Sequence, residues 1–134
     1  MKYFLDTNIV ISFFKRKFDI HNKIKTAGIE NCFISEITLA ELLFGAEYST
    51  NPTKHHQEIR EFISLISVLP ISSCLENYTK EKSRLRKAGT PVDEFDLLIG
   101  ITAVTFEMTM ITNNTKHFER IKNILLADWS ITNP

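Results

Sequence analysis

The chain alternates short runs of β-branched and aromatic residues with longer stretches in which apolar residues recur every three or four positions. Lys2 to Leu5 reads as a first strand, and Thr7 and Asn8 supply hydroxyl and amide groups suited to capping the helix that follows. Residues from about Asn31 to Ile34 make a second strand, and Ser35 or Glu36 begins a helix reaching roughly to Tyr48. After the loop around Asn51 and Pro52, His55 to Ile66 places Ile59, Phe62, Ile63 and Ile66 on one helical stripe. Val68 to Ile71 reads as a third strand, and Leu75 to Lys87 as a helix punctuated at its end by Gly89 and Pro91. Asp93 or Glu94 opens another helix to about Phe106, Met108 to Thr112 makes a fourth strand, and a short last strand falls among Ile124 to Ile131. Such alternation predicts an α/β fold of three layers, α/β/α, with a central parallel sheet of four to five strands and its site at the strands' carboxyl ends.

Three acids interrupt this pattern. Asp6, Glu41 and Asp96 lie in KYFLDTNIVI, ITLAELLFGA and EFDLLIGI, stretches that are otherwise largely apolar. An isolated carboxylate costs several kcal/mol or more to desolvate, so three such positions in a small chain point to a shared use for the charge. Asp6 ends the first strand, and taken alone it is explained slightly better by capping the next helix. Glu41 is mid-helix between Ile37 and Phe44, so exposing it would expose them too. Asp96 has Asp93 at i−3 and Gly100 at i+4, a face acidic on one side and bare on the other, with space for something to approach.

Length and composition bound the rest. A chain of 134 residues fits one domain, 1–134, and 43% hydrophobic with 24% charged residues excludes disordered and fibrous classes. Asp6, Thr7 and Asn8 break the first apolar run where a signal peptide needs its centre, and no run is long enough to span a membrane. Cys32 and Cys74 form no CxxC or Cys/His pattern, which suits buried thiols in a reducing cytoplasm. Sixteen basic residues balance sixteen acidic ones, so attraction for nucleic acid must come from a local patch. Lys80, Arg84 and Lys87 share one face of the helix after the third strand and form the candidate nucleic-acid-binding stripe; a solvated face diluted by Glu76 and Glu81 is the equal alternative.

If the three acids converge, their repulsion needs relief. Two carboxylates about 5 Å apart cost roughly 3 kcal/mol at an effective dielectric near 20. Without a cation, one shifts its pKa upward and stays protonated. With Mg²⁺ or Mn²⁺, an all-oxygen site activates water and neutralises charge on a phosphoryl oxygen, so phosphodiester hydrolysis is the leading reaction.

The segments LDTN (Leu5 to Asn8), ITLAELLFGAE (Ile37 to Glu47), GTPVDEFDLLIG (Gly89 to Gly100) and ITNNTKHFERI (Ile111 to Ile121), with the terminal Asp128 and Trp129, resemble the PIN-domain ribonucleases, specifically the VapC-type toxins of bacterial toxin–antitoxin pairs. The resemblance implies that Asp6, Glu41 and Asp96 bind Mg²⁺ or Mn²⁺ and orient the attacking water, and that Asn8 and Thr112 steady the carboxylates. It implies a structured RNA substrate such as transfer RNA, a VapB-type antitoxin that covers the site, a homodimer and a larger toxin–antitoxin complex. Relatives commonly carry a fourth acid where this chain has His117. Asn114 is one substitute, through an oxygen or a bridging water; charge from Asp93 or Glu94 is another, and a site with fewer ligands is the third.

His117 has two readings, a phosphate contact or acid beside the leaving oxygen, and a surface residue beside Lys116. Phe13, Phe14 and Phe18 beside Lys15, Arg16 and Lys17 suit an apolar groove with a basic rim, or core packing. Two other classes compete. A haloacid-dehalogenase phosphatase needs a second Asp two residues after the first, where this chain has Asn8. A catalytically weak or inactive PIN-like module would act by RNA or protein binding alone.

Overall fold

The computed structural model describes residues 1–131. In chain order it forms β1 (Tyr3–Leu5), α1 (Thr7–Phe14), α2 (Ile20–Ala27), β2 (Cys32–Ser35), α3 (Glu36–Tyr48), α4 (Pro52–Ile63), β3 (Ser67–Leu69), α5 (Leu75–Lys87), α6 (Glu94–Thr105), β4 (Thr109–Ile111), α7 (Thr115–Phe118) and β5 (Leu125–Ala127). The five strands make one sheet in the order β3-β2-β1-β4-β5, and every pairing is parallel.

Side chains alternate between the faces of a strand, and the central strands are apolar on both. Leu5 and Ile111 pack with Ile9, Ile24, Leu42, Ile59 and Phe62, which come from α1 to α4. Phe4 and Met110 pack on the opposite face with Leu85, Leu97, Ile101, Phe118 and Ile121, which come from α5, α6 and the segment around α7. The result is the expected three-layer arrangement, with one buried core on each side of the sheet.

Several boundaries differ from expectation for identifiable reasons. Helix α4 begins at Pro52 rather than His55, because Asn51 Oδ1 accepts from Lys54 N at 3.3 Å and Pro52 occupies the first helical turn. Strand β3 ends at Leu69 rather than Ile71, since Pro70 has no N–H for the ladder and Ile71 starts a 3-10 turn. Helix α2 went unread: it buries only Ile20 and Ile24, and Asp19 before it is left-handed at φ 58° with no side-chain cap. Helix α7, four residues long, is too short to show a period.

Candidate functional site

Strand β1 lies at the centre of the sheet. From it the chain steps to β2 and β3 on one side, then returns to place β4 and β5 on the other. The β1/β4 boundary is therefore the point where strand order reverses, and in open parallel sheets the crevice beyond the carboxyl ends at such a point is where ligands bind. Asp6 follows β1 there, and Thr112 follows β4.

Asp6 is only 5% exposed. Its Oδ1 accepts from Thr7 N at 2.8 Å, and its Oδ2 accepts from Thr112 Oγ1 at 2.8 Å. Asp6 is thus the N-cap of α1, in place of Thr7 and Asn8, and its charge reaches Asp96 from that position. Thr112 is completely buried, and its hydroxyl oxygen accepts from Asn114 N at 3.0 Å. That leaves the hydroxyl proton for Asp6. Burial raises the Asp6 pKa above its ordinary value, opposed by the bonds from Thr112 and Thr7 and by the nearby His117 charge.

Glu41 reaches the same crevice from α3. Thr7 Oγ1 donates to Glu41 Oε1 at 2.7 Å, and Thr38 Oγ1 stands 3.1 Å from that hydroxyl. Glu41 is half-buried, as its sequence setting suggested, but the reason given for it fails at Phe44. Phe44 is 69% exposed and stacks on exposed Tyr48, with ring centroids 5.9 Å apart, so this face of α3 does enter water.

Asp96 enters from the first turn of α6, capped by Asp93, whose Oδ2 accepts from Asp96 N at 3.4 Å. Burial pushes the Asp96 pKa up to about 6, helped by the charges of Asp93, Asp6 and, least, Glu41, while His117 opposes. His117 Nδ1 stands 3.6 Å from Asp96 Oδ2. The expected free space at Gly100 does not exist. Gly100 is buried, and a Cβ there would meet Ile121 Cδ1 at 2.5 Å with Phe118 and Ile124 at 3.3 Å, so the bare backbone serves close packing of the segment that carries His117.

Residues 3–124 match the family described as PIN domain. The chain belongs to the PIN-domain family. It is 35% identical over 132 residues to the tRNA(fMet)-specific endonuclease VapC of Shigella flexneri, covering 97% of this chain and 99% of that one. DNA-bound VapBC from Salmonella typhimurium shares the fold at a TM-score of 0.88 and 31% identity, covering 96% of this chain and 98% of that one. VapBC2 from Rickettsia felis bound to a DNA fragment from its promoter aligns at a TM-score of 0.87 and 31% identity, over 96% of this chain and 99% of the other.

The donor set of this PIN domain suits a hard cation. Asp6, Glu41 and Asp96 offer only oxygens, their hydrogen-bond donors are neutral hydroxyls and amides, and among the described residues none of the three is paired with Lys or Arg. Among the described residues no three acidic, His or Cys side chains converge closely enough to hold one ion. Burial is the main cause of the raised pKa values of Asp6 and Asp96, and at Asp96 the charges of Asp93, Asp6 and Glu41 add to it.

Other anticipated residues fall elsewhere in the PIN domain. Asn8 is exposed on α1, and no hydrogen bond ties its side chain to the acids among the described residues. Asn114 donates its backbone N–H to Thr112 Oγ1, and among the described residues no hydrogen bond ties its side chain to the acids. Glu94 turns toward α5, where Lys82 Nζ lies 2.8 Å away and Tyr78 also donates to it. Arg84 is not a free cation: its Nε and Nη2 grip Glu81 at 2.6 and 2.7 Å, and Nη2 donates to Arg120 O at 2.8 Å. Glu81, read as a surface diluent, is 7% exposed, and hydrogen bonding from Arg84 lowers its pKa. Lys80 and Lys87 stay exposed on α5, and Lys80 adjoins Val104 in the last turn of α6, roughly 12 Å along that helix from Asp96 at 1.5 Å per residue.

The groove beside Glu41 went unread in its full extent. It is about 410 Å³ and is lined by Ile11, Phe14, Leu42, Ala46 and Ile59, with Lys15 and Lys54 on its rim. Of the three clustered phenylalanines, Phe13 and Phe14 pack on Phe62, whereas Phe18 is 43% exposed. The supporting role of Thr7 was also missed, although its place in LDTN beside Asp6 carried the signal.

Proposed function

We propose that this chain is a Mg²⁺- or Mn²⁺-dependent endoribonuclease, the toxin of a toxin–antitoxin pair, silenced by a VapB-type antitoxin. The observation that carries the reading is the placement of Asp6, Glu41 and Asp96 around the reversal point of a parallel sheet, near enough that the charges of Asp6 and Glu41 both raise the Asp96 pKa. Near-full-length similarity to a tRNA(fMet)-specific endonuclease supports RNA as the substrate, and structured RNA such as transfer RNA as its class.

Asp6, Asp96 and Glu41 would hold the ion, which supplies a Lewis acid toward the scissile phosphate and a more acidic water. Thr112 and Thr7 fix the rotamers of Asp6 and Glu41, so the carboxylate lone pairs are aimed before substrate arrives. Asp93 keeps the first turn of α6 in place and adds negative charge beside Asp96. Lys15 and Lys54, on the rim next to Glu41, would meet the RNA backbone, a role for which Arg84 is less available while it holds Glu81. The apolar floor of the same groove suits a segment of the antitoxin that shields the site.

Asp6→Asn, Glu41→Gln and Asp96→Asn are each expected to abolish RNA cleavage while still unfolding in one cooperative transition, and EDTA to abolish cleavage reversibly. Full activity in any of the three, or cleavage indifferent to EDTA, refutes the reading. The rival reading, a weak or inactive RNA-binding module, draws on the non-acidic His117; it expects RNA affinity without cleavage under any divalent ion.

A further inference from the structure

Next to the carboxylates stands one side chain of different donor chemistry. We infer that His117 is itself a ligand of the ion, a nitrogen donor in an otherwise all-oxygen set, and that it tilts the site from Mg²⁺ toward Mn²⁺. The inference rests on the metal-dependent reading above and goes beyond it.

Position is the first argument. His117 Nδ1 lies 3.6 Å from Asp96 Oδ2, and neighbouring donors about 2.1 Å from an octahedral ion stand about 3.0 Å apart. A small side-chain rotation therefore brings the pair to ligand spacing. The backbone that carries the imidazole is well anchored: His117 N donates to Asn114 O at 2.9 Å, and the next residue, Phe118, is 1% exposed. Gly100 lets Phe118 and Ile121 approach α6 closely, which sets α7 against the helix that carries Asp96.

Chemistry is the second argument. The His117 ring is 61% exposed, and among the described residues Asp96 is the only acid it is paired with, so no buried structural role accounts for it. Mg²⁺ takes oxygen ligands and keeps its waters, and Mn²⁺, although it shares that preference for oxygen, belongs to the first-row transition series whose later members imidazole suits. Replacing one carboxylate of such a set by imidazole thus weakens Mg²⁺ more than Mn²⁺. The rival is a simple ion pair, in which protonated His117 neutralises Asp96 and competes with the metal. The two predict opposite signs, because removing a ligand loosens the metal and removing a competing cation tightens it.

The test uses the full chain with Mn²⁺ and with Mg²⁺. Pulsed EPR of the Mn²⁺-loaded protein is expected to show hyperfine coupling to an imidazole nitrogen, lost in His117→Ala. By titration calorimetry, His117→Ala should lose about tenfold in Mn²⁺ affinity and much less in Mg²⁺ affinity, while His117→Asp should lower the Mn²⁺-over-Mg²⁺ preference about tenfold. The exposure of His117 leads us to expect unchanged melting temperatures in both variants. Mn²⁺ bound without nitrogen coupling, coupling that survives in His117→Ala, or tighter Mn²⁺ binding by His117→Ala overturns the inference and leaves the metal-dependent reading standing. If neither ion binds the unmodified protein, both are overturned.

Discussion

Thr7 Oγ1 donates to Glu41 Oε1 at 2.7 Å, so a residue one position after the first acid holds the second acid in place across 34 positions of sequence. A hydroxyl in this role adds no charge, and it leaves the other carboxylate oxygen free. Thr7→Val keeps the shape and removes the donor. It is expected to lower the metal-dependent cleavage rate about 10- to 100-fold, the usual range for losing a partner of a metal ligand, with little change in melting temperature. A rate within twofold of the unmodified protein would show that Glu41 is positioned by its helix alone.

Thr112 serves Asp6 in the same way, but it is buried, and its hydroxyl sits between Asn114 N and the carboxylate. Thr112→Val therefore leaves an amide and a buried acid short of a partner. The expected cost is about 2 kcal/mol in stability, read by denaturant titration, in addition to the loss of activity.

The acids also set how the ion-free protein responds to pH. Asp96 is raised from 3.8 to about 6, so between those values the folded state holds a proton that the unfolded state has released. Stability of the ion-free protein should fall as pH rises through that window, with Asp6 contributing in the same direction. Discounted for solvent screening, the Asp96 effect is about 1 kcal/mol, so Asp96→Asn should raise the melting temperature at pH 7 by roughly 3 to 5 °C and flatten the slope. Saturating Mn²⁺ should flatten it in the unmodified protein. A melting temperature of Asp96→Asn that is lower at every pH would contradict this.

Glu81 tests the reassignment of the basic stripe. It joins α5 to the segment after α7 by accepting from Arg84 Nε and Nη2 and from Lys122 N at 2.6 Å. Glu81→Ala should destabilise the fold by about 2 kcal/mol. Arg84→Ala should reduce stability yet leave the salt dependence of RNA binding unchanged, whereas Lys15→Ala and Lys54→Ala together should make that dependence shallower by one to two phosphate contacts. A shallower slope in Arg84→Ala would restore α5 as an RNA surface.

Gly100→Ala measures how closely α7 is packed on α6. The added methyl would gain up to about 1 kcal/mol of helix propensity, but it would meet Ile121 Cδ1 at 2.5 Å, so overpacking at 1–3 kcal/mol should win. The expected readout is a net loss of about 1 kcal/mol in stability. A stabilised Gly100→Ala would mean that Ile121 can move aside freely.

Much of this was legible from pattern. Both long apolar-faced helices, α3 and α6, and the central strands declare themselves because a buried strand or a core-facing helix has little freedom in its residues. The three acids stand out for the opposite reason, as polar groups where the pattern demands apolar ones. What escaped reading depended on neighbours distant in sequence. Gly100 looked like an opening because Phe118 and Ile121 come from another element, and Arg84 looked free because Glu81 is buried by Lys122 and the segment around it. Helix α2 had only Ile20 and Ile24 to bury, and two points do not establish a period.

The Asp6–Thr112 bond also has a meaning in time. The two residues are 106 positions apart, and β1 cannot gain its neighbour β4 until that later stretch exists. At about 5–20 residues per second of synthesis, the interval is on the order of 5–20 s. Through that delay a nascent chain carries its first acid with no completed centre around it, so the centre is assembled only once most of the molecule has been made.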